Sequence, residues 1–313
     1  MPASEKFYIV LNAFLLFATL CIVINIYRSS KKKCTNIFLK ISLAFTALGL
    51  LDLLDMLFIE PNWIATEWVK INDPELAQIL RGMTVVQISD IHLKEIGFRE
   101  RELVKKVNEL KPDILCITGD FFSNPKDPEA INQFREIFDL IRSFKASVGI
   151  YGILGNYDTY LEGHPERLKE LSEAGICILY NESRKIIMPN QEAFWLAGTF
   201  YDPPDRYAEA QFEKTLENVP PHAPTILLNH YPNVFGKAFN AGINLVLAGH
   251  THGGQIGLPF LIHMSNSANK SPYMRGLFDS GKTKMYVNRG IGTTNIPVRF
   301  LCRPEITVFE FTG

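Results

Sequence analysis

Four of the chain's seven histidines stand with two aspartates and an asparagine in short polar motifs, each directly after an apolar run. Asp90-Ile-His92 follows Thr84–Ser89 (TVVQIS), and Gly119-Asp120 follows Asp113–Thr118 (DILCIT). Gly155-Asn156-Tyr157-Asp158 follows Val148–Leu154 (VGIYGIL), and His230 follows Thr225–Asn229 (TILLN). Gly249-His250-Thr251-His252-Gly253-Gly254 follows Asn244–Ala248 (NLVLA). Each motif alone has a plain explanation as a turn, a helix cap or a structural histidine. Together, Asp90, His92, Asp120, Asn156, His230, His250 and His252 combine imidazoles, carboxylates and one amide. That mixture suits borderline divalent metals such as Mn, Fe or Zn. Seven ligands exceed one four-coordinate site, whereas two ions sharing a carboxylate use all of them.

Such a site needs elements that bring five chain segments together. The apolar runs read as buried strands, and between them lie helical spacings at Arg99–Leu110, Pro128–Phe144, Pro165–Ala174 and Ala208–Leu216. Val234–Asn240 reads as a short helix. Further strands are expected at Ile176–Tyr180, Phe194–Gly198, Lys284–Val287 and Ile306–Phe311. Strands alternating with helices give an α/β fold, with a largely parallel core sheet or two sheets packed together. In such sheets ligands bind beyond the carboxyl ends of the strands, which is where the polar motifs fall.

The 313 residues carry 32 cations and 33 anions, a net charge of −1 that argues against a nucleic-acid partner held by bulk electrostatics. Hydrophobic residues make up 47% and charged residues 21%, which argues against disorder. Five cysteines without a CxxC pair argue against a disulfide scaffold or a thiolate zinc site. These averages cover two unlike pieces. Residues 1–60 hold six cations and four anions, and residues 61–313 hold 26 and 29. Phe7–Tyr27 is a charge-free run long enough to span a bilayer, and Arg28 with Lys31, Lys32 and Lys33 forms a basic cluster after it. Ile37–Ile59 is a second apolar stretch, read as either a spanning or an interfacial helix, with Asp52 and Asp55 on one face. The expected organisation is a membrane anchor of one or two helices over 1–60 and a catalytic domain over 61–313. Two spans would place that domain outside the cytoplasm and one span inside it.

The ordered series D-x-H, G-D, G-N, H and G-H-T-H resembles the calcineurin-like metallophosphoesterase superfamily over about residues 84–311. Gly249–Gln255 (GHTHGGQ), Arg289–Phe300 (RGIGTTNIPVRF) and Glu60-Pro61-Asn-Trp63 resemble a membrane-anchored bacterial branch. Near that branch stand enzymes acting on lipid-linked substrates such as UDP-2,3-diacylglucosamine. The resemblance implies a β-sandwich flanked by helices. It also implies two divalent ions: one held by Asp90, His92 and His252, the other by Asn156, His230 and His250, with Asp120 between them. The ions would activate water for in-line attack on a phosphodiester or pyrophosphate. The family's G-N-H-D/E motif reads here as Gly155-Asn156-Tyr157-Asp158. Tyr157 and Asp158 thus fall at its catalytic positions, with a phenol in place of an imidazole. A phenol, with a pKa near 10, still donates a hydrogen bond to a phosphoryl oxygen.

Arg275, Arg289 and Arg299 are candidates for phosphate contact. Phe260 and Leu261, in an apolar loop ending at His263, are candidates for the wall of a lipid groove. The implied function is a membrane-anchored phosphohydrolase with a phosphate-containing, lipid-linked substrate. The alternatives are a broad phosphodiesterase without lipid preference and a non-catalytic scaffold.

Overall fold

The computed structural model describes residues 18, 21–24, 27, 37–123, 136–158, 165–199, 208–257, 271–294 and 296–313. Its strands are β1 (Ala65–Asn72), β2 (Val85–Ile88), β3 (Ile114–Thr118), β4 (Gly149–Ile153), β5 (Ile176–Ile178) and β6 (Glu182–Ile187). They continue with β7 (Ala193–Thr199), β8 (Thr225–Asn229), β9 (Leu245–Ala248), β10 (Gly276–Ser280), β11 (Thr283–Val287) and β12 (Glu305–Thr312). Two six-stranded sheets result, in the orders β1-β12-β2-β3-β4-β5 and β10-β11-β9-β8-β7-β6. Both are mixed. β2 to β5 run parallel, as do β11, β9, β8 and β7, while β12 is antiparallel to β2, β6 to β7 and β10 to β11. Of the two architectures open from the sequence, the packed pair of sheets is the one adopted.

The apolar runs are continuous because the central strands are buried on both faces. In β3, Ile114 and Cys116 pack into the layer between the sheets, while Leu115 and Ile117 face the helices outside. β8 and β9 repeat the pattern, with Ile226, Leu228, Leu245 and Leu247 turned inward and Leu227 and Val246 outward. Helix Phe98–Glu109 covers the first sheet with Leu103, Val104 and Val107, spaced for one helical face. Helices Ala208–Leu216 and Phe235–Asn240 cover the second with Ala208, Phe212, Phe235 and Ala238.

Three strands lie outside the expected set, β1, β6 and β10. β6 (ESRKII) and β10 (GLFDS) are edge strands, and edges carry the charged residues that dilute a strand signal. Asp73 caps helix Pro74–Ile79, its side chain accepting from the Leu76 amide at 2.9 Å. The first part of the helix expected over Pro128–Phe144 lies outside the described residues.

The N-terminal expectation is met only in part. The second apolar stretch is an α-helix over Ile37–Leu54, then a π-turn over Asp55–Ile59 and a 3₁₀ turn over Glu60–Asn62. Among the described residues no helix is long and apolar enough to cross a membrane. Most of Phe7–Tyr27 and all of the basic cluster after it lie outside the described residues.

The segment after the helix is bolted to the sandwich. The buried Glu60 carboxylate accepts the Leu301 amide at 2.8 Å and the Cys302 amide beside it. The Arg299 amide donates to the Met56 carbonyl at 3.1 Å. Glu60→Ala strands two amides, and about 2–3 kcal/mol of unfolding free energy should be lost. Urea unfolding measures this, and Glu60→Gln, which keeps one acceptor, should lose less.

Candidate metal centre

The parallel strands deliver their carboxyl ends to one edge of the sandwich, and the seven candidate ligands converge there. His92 Nε2 lies 3.1 Å from His252 Nε2 and 3.5 Å from Asp120 Oδ2. His252 Nε2 lies 3.3 Å from Asp90 Oδ1. On the other side, Asn156 Oδ1 lies 3.1 Å from His230 Nε2 and 3.0 Å from His250 Nδ1, and those two nitrogens are 3.2 Å apart. Asp120 Oδ2 reaches this half too, 3.3 Å from His230 Nε2. Asp90 Oδ1 leans toward it at 3.9 Å. A tetrahedral ion with ligands at about 2.1 Å has polyhedron edges of about 3.4 Å, so these spacings fit two adjacent coordination shells. Asp90, His92 and His252 form one group with metal-ligand spacing, and Asp90, Asp120 and His230 form another.

The backbone is bent to achieve this. Asp90, His92, Asp120, His250 and His252 all adopt positive φ, between 48° and 70°. That left-handed region is uncommon for residues with a Cβ and clusters at functional sites. Gly119 makes the close approach possible. It has a φ of +89°, and a Cβ there would meet the Gly155 backbone at 2.7 Å and His230 Nδ1 at 2.8 Å.

Surrounding groups set the protonation of the ligands. The Ser89 hydroxyl donates to Asp90 Oδ2 at 2.6 Å, and the His250 amide donates to both Asp90 oxygens. The Tyr157 amide donates to Asp120 Oδ1 at 2.8 Å. His230 Nδ1 is 2.7 Å from the Thr118 carbonyl, so Nδ1 carries hydrogen and Nε2 turns to the cluster. Burial drives His92 down to about 4 and His252 well below its ordinary range, leaving both neutral. Burial also raises Asp90 to about 6. His230 goes the opposite way, because Asp120 and Asp90 outweigh its burial and lift it to about 10. The cluster thus draws one positive charge in between its two carboxylates. His252 Nε2 faces the Nε2 of another neutral imidazole, an arrangement that a cation between the rings satisfies. By donor chemistry, spacing and burial, the residues fit divalent metal.

Comparison with known proteins bears on the same segment. A family model described as calcineurin-like phosphoesterase matches residues 83–254. The chain belongs to that family. All seven converging residues fall inside the match, and the chain is accordingly a metallophosphoesterase, a hydrolase of phosphoric esters. It is 32% identical to the uncharacterized metallophosphoesterase YkuE of Bacillus subtilis, over 80% of this chain and 87% of that protein. It is also 32% identical to a Danio rerio transmembrane protein with metallophosphoesterase domain, over 76% of this chain but only 55% of that protein. A Chlamydia muridarum protein named UDP-2,3-diacylglucosamine pyrophosphatase LpxG is 27% identical, over 80% of this chain and 90% of that one.

The remaining candidates sit differently from expectation. Tyr157 is half-buried at the cluster, its ring edge-on to His92 with centroids 4.8 Å apart. Burial and Asp120 raise its pKa, keeping the phenol protonated as a donor. Asp158 is not presented to the reacting centre. It is fully buried and accepts the amides of Phe121 (3.0 Å), Phe122 (3.3 Å) and Gly155 (3.0 Å), stapling the Asp120 turn to the Asn156 turn. The arginines are also committed elsewhere. Arg299 is fully buried, with its three nitrogens on the carbonyls of Arg289, Gly290, Gly292 and Cys302. Arg289 is held between Glu305 and Glu67, and Arg275 donates to the Leu301 carbonyl at 3.3 Å. His164 and the loop with Phe260, Leu261 and His263 lie outside the described residues. His222 is exposed in a turn.

Two contributors escaped the sequence reading. Ser89, immediately before Asp90, orients the carboxylate. Lys94, two residues after His92, is a cation beside the cluster, and its place directly behind the D-x-H motif was the available signal. If Asp158 is a staple, Asp158→Ala leaves three amides without an acceptor. The metal-stripped protein should then lose about 3 kcal/mol or more in urea unfolding.

Proposed function

We propose that the chain is a dinuclear, metal-dependent phosphodiesterase or pyrophosphatase acting on lipid-linked substrates at a membrane. The observation carrying the metal assignment is the pair of ligand groups joined at Asp120 Oδ2. In this reading Asp90, His92 and His252 hold one ion, Asn156, His230 and His250 the other, and Asp120 spans both. Divalent ions such as Mn, Fe or Zn bound there supply Lewis acidity, acidifying water and drawing charge from phosphoryl oxygens.

The chain's own residues do the rest. Buried walls keep bulk water from the carboxylates and imidazoles. Thr118 fixes the His230 tautomer, and Ser89 with the His250 amide fixes Asp90. Tyr157 donates its phenolic hydrogen to a phosphoryl oxygen as charge grows there. Asp158 acts as a positioning residue rather than as an acid.

Two observations support the lipid-linked part. One relative is named as a pyrophosphatase of a diacylated sugar nucleotide, and the match covers 90% of it. The helix Ile37–Leu54 exposes large apolar side chains, including Phe45, Leu48 and Leu51, as a helix does that meets lipid rather than water. Residues 1–60 then serve as a membrane anchor and 61–313 as the catalytic domain, in line with relatives named transmembrane proteins.

The full chain, stripped with chelator and resupplied with Mn, should hydrolyse bis-p-nitrophenyl phosphate. Asp120→Ala should remove turnover and reduce the ions bound per chain in calorimetry. Turnover that is indifferent to metal and to Asp120 would leave a non-catalytic scaffold as the better reading. Tyr157→Phe should lower kcat by about tenfold or more with KM little changed, the mark of a donor used in the transition state.

A further inference from the structure

A groove leaves the metal centre toward the N-terminal apolar segment. A hollow of about 370 Å³ has His92, Lys94, Arg99 and Ser123 among its walls, and Leu57, Pro61 and Phe98 as well. Asn62 and Phe98 are also walls of a second hollow of about 570 Å³, lined by Phe58, Ile59, Trp63 and Ile64. The two adjoin across these shared side chains. The end near His92 is polar. Arg99 spends Nε and Nη2 on Glu100, and Lys94 stands exposed in the wall next to Glu95. The far end is open to solvent and combines the Glu102 and Lys106 side chains with exposed apolar ones, Phe58 at 64%, Ile59 at 53% and Phe98 at 66%.

Large apolar side chains grouped at the mouth of a groove, at that exposure, mark a binding surface. Folding does not account for them, because they belong to none of the three core clusters.

We infer that this groove is the substrate's seat, and that it takes an amphiphile. The phosphoryl group lies on the metal cluster and Lys94, and one alkyl or acyl chain lies along Leu57 and Phe98 toward Phe58 and Ile59. This rests on the metallophosphoesterase reading of the same centre and adds the direction and chemistry of the substrate's tail. His92 and Lys94 in the wall of one hollow, and exposed apolar side chains in the adjoining one, favour a phospholipid-like ligand over a soluble nucleotide diester. The wall lies on described residues, and the loop carrying Phe260 and Leu261 is not needed for it.

The test uses the full chain with Mn and two chromogenic diesters, p-nitrophenyl methyl phosphate and p-nitrophenyl octyl phosphate. KM for the octyl ester should be at least tenfold lower, because each buried methylene is worth about fourfold. Phe98→Ser with Ile59→Ser, both on exposed side chains, should bring the two KM values within threefold by raising that of the octyl ester. Lys94→Gln should raise KM for both esters alike.

A second readout needs no turnover. In metal-stripped protein with Trp68→Phe and Trp195→Phe, Trp63 reports on the groove. Bromine at the end of 8-bromooctyl phosphate should quench it, and 2-bromoethyl phosphate should not. Equal KM values for the two esters would overturn the groove while leaving the phosphodiesterase reading intact, as would absence of chain-dependent quenching. Absence of turnover with quenching retained would overturn the catalytic reading and keep the groove. Quenching by brominated phosphatidylcholine vesicles that octyl phosphate does not relieve would assign the lip to a bilayer surface, and that also overturns the inference.

Discussion

Two carboxylates buried side by side require positive charge between them. Asp90 and Asp120 are both essentially inaccessible to water and share His230 as a neighbour at 3.9 and 3.3 Å. A buried anion is tolerated only when it is paired. With the chain's own groups alone, His230 takes that part, held protonated far above its ordinary range. The other imidazoles nearby cannot share it, since burial keeps His92 and His252 neutral. One proton is a poor match for a pocket with two carboxylates, neutral ring nitrogens and an amide oxygen at polyhedron spacing. Divalent cations answer that electrostatic demand and the spacing together, which is why the metal assignment comes from energetics as well as from motif order.

The same demand explains the backbone. Placing five ligands in the left-handed region costs on the order of 1 kcal/mol each. The cost is sustained because the turns are over-determined. Asp158 binds three amides across the Asp120 and Asn156 turns. Arg299 gathers the carbonyls of residues 289–292, and that loop returns amide bonds from Ile291 and Gly292 to the Asp90 carbonyl. Asp158 and Arg299 therefore fasten the loops around the ligands. A motif aspartate and three arginines look alike in a sequence whichever work they do. Burial and the direction of their donors separate the two.

Much of the rest was legible before any coordinates. β2, β3, β8 and β9 appear as short apolar runs because both of their faces are buried, and each ends in the ligand that its carboxyl end presents. What could not be read was the partition of those strands between two sheets. Inward and outward faces of a doubly buried strand are both apolar, so TVVQIS and NLVLA do not declare which sheet they join. Edge strands β6 and β10 were missed for the opposite reason, since a solvated edge tolerates Arg, Lys and Asp. In the N-terminal segment hydropathy does not mark where the helix changes. Ile37–Ile59 is mostly apolar, yet the α-helix stops at Leu54, and a π-turn and then a 3₁₀ turn containing Pro61 follow.

That early stop gives the apolar segment a fixed relation to the chemistry. The turns place Glu60 on the amides of Leu301 and Cys302, and Cys302 Sγ lies 3.3 Å from the His252 carbonyl. Arg303 stacks on Trp63 with its guanidinium 4.0 Å from the ring centroid and donates to the Trp63 carbonyl at 2.9 Å. Only these short links separate the foot of the apolar helix from a candidate metal ligand. A flexible tether would let the catalytic face turn any way relative to whatever the helix contacts. The Glu60 and Arg303 clamps remove that freedom, because rotating the helix foot would strand buried amides. The ligand-bearing edge of the sandwich and the apolar segment are thus held on one side of the molecule. That arrangement suits a substrate whose phosphate and hydrocarbon must be met together.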